Sequence, residues 1–255
     1  MANRGIRPGV TLSPPPAVFA LLAHPVRWQV LQALADSDLR VQELVTVTRQ
    51  PVNLVSYHLK QLRDDSIVAQ RRSDADARDI YYTLNLPYLR TLYSAAGQAL
   101  HPLLGITTEP PLVAEFASQR VLFICTHNSA RSQMAEAWLR HLTGGRIAVF
   151  SAGSQPTGVH ALTISTLAAL GIDASQQHAT PLDIYYEDTF DDVITVCDRA
   201  REVCPTFPGP ARYHHWSIPD PLAAPVVEQP AVFATTAHLI ELRVRHFLAA
   251  QAANR

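Results

Sequence analysis

The chain has 255 residues, 47% of them hydrophobic and 17% charged, with a formal charge of −1. That length fits two ordinary cores better than one. No apolar run approaches the roughly 18 residues of a membrane span, and the near-neutral balance excludes drawing in nucleic acid through a global positive field.

Residues 1–15, with Arg4, Arg7 and the start of Pro14-Pro15-Pro16, are expected to form a flexible tail, since they lack the apolar core and small-residue cleavage site of a secretory signal. Ala17 to Ala23 and Val26 to Ala35 have the periodicity of two short helices, parted at His24-Pro25 because proline disfavours helix in the residue before it. Asp36-Ser37-Asp38 makes a polar turn, Val41 to Thr48 a third helix, and Pro51 opens a fourth running to about Asp65. Ile67 to Arg72 and Asp79 to Leu84 are β-prone runs around Ser73-Asp74-Ala75-Asp76-Ala77-Arg78, a hairpin long enough to project as a wing. A further amphipathic helix covers Pro87 to about Leu104, and 105–118, with Pro110-Pro111 inside, reads as a linker.

Residues 16–104 therefore outline a mainly α winged helix-turn-helix domain. On its fourth helix, Leu54, Val55, Leu59 and Leu62 supply an apolar face and leave Asn53, Ser56, Tyr57 and Lys60 to reach a DNA groove. Asn53 suits a base edge and Lys60 a phosphate. On the wing, Arg71, Arg72 and Arg78 are candidates for flanking phosphates, although Asp74, Asp76 and Asp79 dilute the charge, so DNA affinity should be modest and strongly salt-sensitive. The alternative is a winged helix that mediates only protein contacts.

From 119 onward short apolar strands alternate with helices: Val121 to Ile124, a helix from Ser132, Ile147 to Phe150, a helix through Leu170 closed by Gly171, Asp192 to Val196, Arg212 to Trp216, and a last helix over Ala231 to Ala249. This alternation predicts an α/β domain on a four-stranded parallel sheet, residues 119–255. Three cysteines, Cys125, Cys197 and Cys204, all fall in it, and an odd count points to reactive thiols in a reducing cytoplasm rather than an extracellular disulfide framework.

The sharpest motif is Cys125-Thr126-His127-Asn128-Ser129-Ala130-Arg131-Ser132, directly after a strand and directly before a helix. A loop there aims backbone N–H groups and the positive end of the helix dipole at one point, which binds a tetrahedral oxyanion and favours a thiolate nucleophile. Arg131 adds a planar fork for two oxyanion oxygens. The plain alternative is a buried structural cysteine at a strand end.

Arg131-Ser132-Gln133-Met134-Ala135-Glu136 and the late Asp220-Pro221 resemble the low-molecular-weight protein tyrosine phosphatase superfamily and, within it, the thiol-dependent arsenate reductases. The resemblance implies Cys125 as nucleophile, the loop from Thr126 to Ser132 as oxyanion cradle and Asp220 as general acid. A phosphatase needs no more, whereas a reductase needs two electrons. Cys197-Asp198-Arg199-Ala200-Arg201-Glu202-Val203-Cys204 resembles the redox segment of thioredoxin-coupled members, which implies a Cys125/Cys197/Cys204 relay reduced by thioredoxin or a low-molecular-weight thiol, with no tightly bound cofactor. Structural zinc on the pair is disfavoured: no close C-x2-C knuckle is present, and the neighbours His214 and His215 would point to opposite faces of a strand. Some relatives hold a monovalent cation on residues matching Asn128, Glu136 and Ser151; no acidic match for a further ligand stands near Thr180-Pro181.

Leu22-Ala23-His24-Pro25-Val26-Arg27, Val55 to Leu62 and Ile80-Tyr81-Tyr82-Thr83-Leu84 resemble the ArsR-type winged-helix regulators. That implies a homodimer formed through this domain on a double-stranded DNA operator. No cysteine lies in the domain, so arsenite cannot be sensed there through the usual thiolates. The expectation is a regulator fused to an arsenate reductase in the cytoplasm. The alternatives are a regulator fused to a tyrosine phosphatase, or to a catalytically silent sensor.

Overall fold

The structure, a computed structural model, describes residues 14–101, 104–105 and 119–253. Most of the expected tail and linker lies outside the described residues. Helices α1 (Ala17–Leu22), α2 (Pro25–Asp36), α3 (Val41–Thr48) and α4 (Val52–Asp64) precede strands β2 (Val68–Arg72) and β3 (Ile80–Leu84) and helix α5 (Leu86–Leu100). A two-residue strand β1 (Leu39–Arg40) completes an antiparallel sheet in the order β1-β3-β2. Helix α4 starts at Val52, one residue later than expected, with Pro51 just outside it at φ −59° and ψ 143°. Leu34, Leu44, Val55, Leu59, Leu62 and Ile67 form the core of this domain.

The second domain carries β4 (Arg120–Cys125), α6 (Arg131–Thr143), β5 (Ala148–Gly153), α7 (Ala161–Ala169), β6 (Asp192–Thr195), α8 (Asp198–Glu202), β7 (Arg212–His215) and α9 (Gln229–Ala253). Its sheet is wholly parallel, in the order β5-β4-β6-β7. Helices cover the sheet, so the central strand β4 reads as an unbroken apolar run in which Val121, Leu122, Phe123 and Ile124 are all buried. Gly171, at φ 79°, ends the α7 segment in the left-handed region expected of it. Among the described residues no helix is long and apolar enough to cross a membrane.

The two domains meet through residues far apart in sequence: the Tyr81 ring packs on His215 (4.7 Å), and polar contacts surround it. The turn Asp36-Ser37-Asp38 docks on the end of β7: the Asp38 N–H donates to the His215 carbonyl (2.8 Å), and the Ser37 hydroxyl accepts from the His215 N–H (2.9 Å). The Asp38 carboxylate is fully buried, where it accepts from the Ser217 N–H at 2.7 Å and pairs with Arg243 at 2.6 Å. Helix α8, absent from the expected elements, supplies Arg201 to Glu43 of α3, and Glu202 approaches Arg40 at 3.6 Å. On the wing, the Arg71 guanidinium pairs with the buried carboxylate of Asp198 and donates to the Ser217 hydroxyl (2.6 Å).

Candidate active site

Strand β4 ends at Cys125 on the C-terminal side of the sheet, residues 126–130 turn back, and α6 begins at Arg131. The turn depends on Asn128, which adopts φ 48°, a region costing a non-glycine residue about 1–2 kcal/mol. Four hydrogen bonds hold it there. Its Nδ2 donates to the hydroxyls of Ser132 (2.8 Å) and Ser151 (2.9 Å), and its Oδ1 accepts from Gln133 Nε2 (2.9 Å) and the Thr180 N–H (2.7 Å). The backbone donor from Thr180 fixes which way the amide points. The Ser151 hydroxyl that accepts from Asn128 donates in turn to Glu136 (2.6 Å).

The Cys125 sulfur lies in this turn. The Asn128 N–H donates to it at 3.1 Å, and the Ser132 hydroxyl lies 2.9 Å away. Gly153, at the end of the neighbouring strand, makes the turn feasible, because a Cβ there would stand 2.7 Å from the Thr126 carbonyl oxygen and 2.9 Å from the Asn128 nitrogen. Sequence reasoning missed it. The available signal was a glycine at a strand end, which often marks a close approach of another backbone segment.

Arg131 is buried at the first turn of α6. Its Nη1 donates to the Ile218 carbonyl (2.9 Å) and its Nη2 pairs with Asp220 (3.1 Å). Asp220 follows the loop after β7, and its carboxylate caps a short 3-10 turn by accepting from the Leu222 N–H (3.1 Å). A cleft of about 230 Å³ opens here, lined by Thr126, His127, Arg131, Cys197, Arg199 and Asp220 together with Asp74 of the wing. The expected nucleophile loop, arginine and acid therefore meet in one place. A carboxylate from the other domain joins them, 3.8 Å from Arg131 Nη1.

Cys197 is buried beside the loop, its sulfur 3.4 Å from the Thr126 hydroxyl and accepting from the Ala200 N–H at 3.4 Å. Burial pushes its thiol up; Arg131 opposes that shift and Cys125 adds to it, which reflects how close the three groups lie. Cys204 lies past the far end of α8, half-buried, its thiol pushed up to about 11 by burial. All three thiols are free.

On α4 the side chains of Asn53, Ser56, Tyr57 and Lys60 are all exposed, while Val55, Leu59 and Leu62 are buried. His58 is buried with them against His24, and burial lowers its pKa. The three wing arginines do not share one surface. Arg72 and Arg78 are exposed, Arg78 paired with Asp76 at 2.6 Å, but Arg71 is turned into the second domain by Asp198 and Ser217.

A parallel sheet in the order β5-β4-β6-β7 with a cysteine loop leading into a helix, an arginine in its first turn and a late Asp-Pro has the architecture of a low-molecular-weight phosphatase fold. Residues 120–255 match the low molecular weight phosphotyrosine protein phosphatase family, and the chain belongs to it. Residues 24–70 match the bacterial regulatory proteins of the arsR family. Among curated proteins the chain is 35% identical over 129 residues to an arsenate reductase of Halalkalibacterium halodurans, covering 50% of this chain and 93% of that protein. It is 40% identical over 101 residues to an arsenate reductase of Brevibacillus brevis, covering 40% of this chain and 75% of that protein. A solved arsenate reductase in oxidized state aligns with TM-score 0.47 and 31% identity over 52% of this chain and 98% of the other.

Proposed function

We propose that the chain is a winged-helix DNA-binding regulator fused to a thiol-dependent arsenate reductase, working through Cys125, Cys197 and Cys204. The observation that carries this reading is a second buried thiol, Cys197, against the Cys125 loop, with a third one helix away; a phosphatase has no use for either. The Cys125 thiolate displaces an oxygen of arsenate, which leaves as water after protonation by Asp220, while Arg131 and the loop N–H groups hold the remaining oxygens. A sulfur–arsenic(V) bond results. Cys197, as thiolate, then attacks the Cys125 sulfur; the sulfur–arsenic pair passes to arsenic, arsenite leaves and a Cys125–Cys197 disulfide forms. Cys204 attacks Cys197, releasing the Cys125 thiolate, and an external dithiol such as thioredoxin reduces the Cys197–Cys204 disulfide. The balance is arsenate plus two thiols to arsenite, disulfide and water.

DNA binding is assigned to α4 through Asn53, Ser56, Tyr57 and Lys60. A homodimer through the first domain is supported by exposed Phe19 on α1 and Tyr88, Tyr93 and Leu100 on α5, large apolar side chains that a second copy would cover.

The test is steady-state arsenate reduction with thioredoxin, thioredoxin reductase and NADPH on the intact chain and on Cys197→Ser and Cys204→Ser. Turnover that collapses in both variants is the expected result. Hydrolysis of an aryl phosphate that needs Cys125 and survives both substitutions, without arsenate turnover, overturns the reductase in favour of a phosphatase.

A further inference from the structure

We propose that Asp74 of the wing is an internal competitor for the oxyanion pocket, so that an oxyanion entering the pocket expels the wing and frees Arg71 for DNA. The inference rests on the oxyanion reading of the Cys125 loop. Arg131, the buried arginine of the pocket, faces two carboxylates, Asp220 at 3.1 Å and Asp74 at 3.8 Å. Asp220 has work to do with a bound oxyanion, as the donor to its leaving oxygen. Asp74 has none. A carboxylate facing the same guanidinium repels an incoming arsenate or phosphate dianion and opposes its hold on Arg131.

Asp74 is placed there, rather than passing by on a mobile loop. Its N–H donates to Asp198 (2.8 Å), its carboxylate accepts from Arg71 (2.8 Å), and the Arg71 guanidinium is itself held by Asp198 and Ser217. Arg199, another residue of the cleft, reaches the Asp74 carbonyl at 3.4 Å. Expelling the Asp74 carboxylate therefore loosens the whole docked segment from Arg71 to Asp74. Arg71 is then released towards solvent, on the strand where a winged helix contacts phosphates. Oxyanion and DNA draw on the same undocked form, and by linkage each must strengthen the binding of the other.

Inorganic phosphate is the probe, since it has the tetrahedral charge and cannot be reduced by the thiols. Its affinity is measured calorimetrically on the full chain, on Asp74→Asn and Asp74→Ala, and on Arg131→Ala as the pocket control. Hydrogen exchange of the wing is followed in the unsubstituted protein with and without phosphate. The expected results are binding about fivefold to tenfold tighter in both Asp74 variants, and faster exchange of the Asp74 amide when phosphate is present. Unchanged or weaker binding in both variants, or a wing that becomes more protected with phosphate, overturns the proposal while leaving the enzyme reading intact. Binding that is absent throughout, or insensitive to Arg131→Ala, overturns both.

Discussion

Replacing Gly153 by alanine tests the most crowded point of the site. The added Cβ would lie 2.7 Å from the Thr126 carbonyl oxygen, 2.9 Å from the Asn128 nitrogen and 3.0 Å from the Asn128 Cβ. None of these is the free end of a flexible side chain. Asn128 is pinned by four hydrogen bonds, and Gly153 itself donates to the Thr180 carbonyl at 2.9 Å. The strand and the loop must therefore part. Overpacking of this kind costs about 1–3 kcal/mol, and a chain of this size loses roughly 2–4 °C of Tm per kcal/mol, so thermal unfolding of the second domain should move down by several degrees. Function should suffer more, because the displaced atoms are the backbone that forms the cradle, and a shift approaching 1 Å costs about a hundredfold in rate. Calorimetry and arsenate turnover on Gly153→Ala measure the two effects side by side. A variant that melts like the parent and keeps its kcat/KM refutes the claim that backbone crowding at this glycine shapes the loop.

Asp38→Ala should destabilise the chain by about 3 kcal/mol in urea unfolding, because it strands Arg243 and the Ser217 N–H at a buried site, and breaking such a pair is far costlier than never having made it. Stability should also fall on acidification. Burial lowers the His215 pKa, so the unfolded chain takes up that proton first, and stability declines once the pH drops below about 6.5. For Asp198 burial works upward, but hydrogen bonds from His215 and the Asp74 N–H, with the nearby Arg71 charge, hold its pKa well below the usual carboxylate range. Its contribution is therefore complete above about pH 4 and lost as the pH falls further; a Tm that rises from pH 7 to pH 5 would contradict the histidine sign, and one that rises from pH 4 to pH 2 the aspartate sign. Because burial holds Cys204 up to about 11, resolution of the Cys125–Cys197 disulfide, followed by rapid quench, should quicken close to tenfold per pH unit between about pH 7 and pH 9. Lys60→Ala should reduce the salt dependence of DNA binding by about one ion and weaken all sequences alike, whereas Asn53→Ala should relax base preference, both read by titration at several salt concentrations.

The helices and strands were legible wherever hydrophobic period and punctuation agreed: His24-Pro25 parting α1 from α2, the alternating strands after Arg120, and Gly171 after α7. The nucleophile loop was legible because strand, cysteine, arginine and helix start are contiguous. What escaped depends on contacts far apart in sequence. β1 has only two residues and no period to detect; it exists because Leu39 and Arg40 pair with Tyr82 and Tyr81. Helix α8 is one turn of mostly charged residues, capped by a cysteine that accepts from the Ala200 N–H. Arg71 belongs to a strand of the wing, and nothing local announces that its partner stands 127 residues later. Asp74 read as a dilution of positive charge on a DNA-facing loop, and only the docking of the domains turns it into a wall of the cleft.

The composition of the seam bears on why two such domains share a chain. Its ion pairs are Asp38 with Arg243, Glu43 with Arg201 and Asp198 with Arg71, supported by the Ser37 hydroxyl and backbone groups of residues 38, 215 and 217, and the fully buried Tyr81 ring packs on His215 at 4.7 Å. Buried pairs of this kind give back in attraction about what they lose in desolvation, so they fix register strongly and add little net stability. A docked state held by a small difference between large terms is one that a dianion in the adjoining cleft can outweigh. Arg71, Asp74 and Asp198 link the pocket and the seam through direct contacts, so a charge arriving at Arg131 has a short path to the wing.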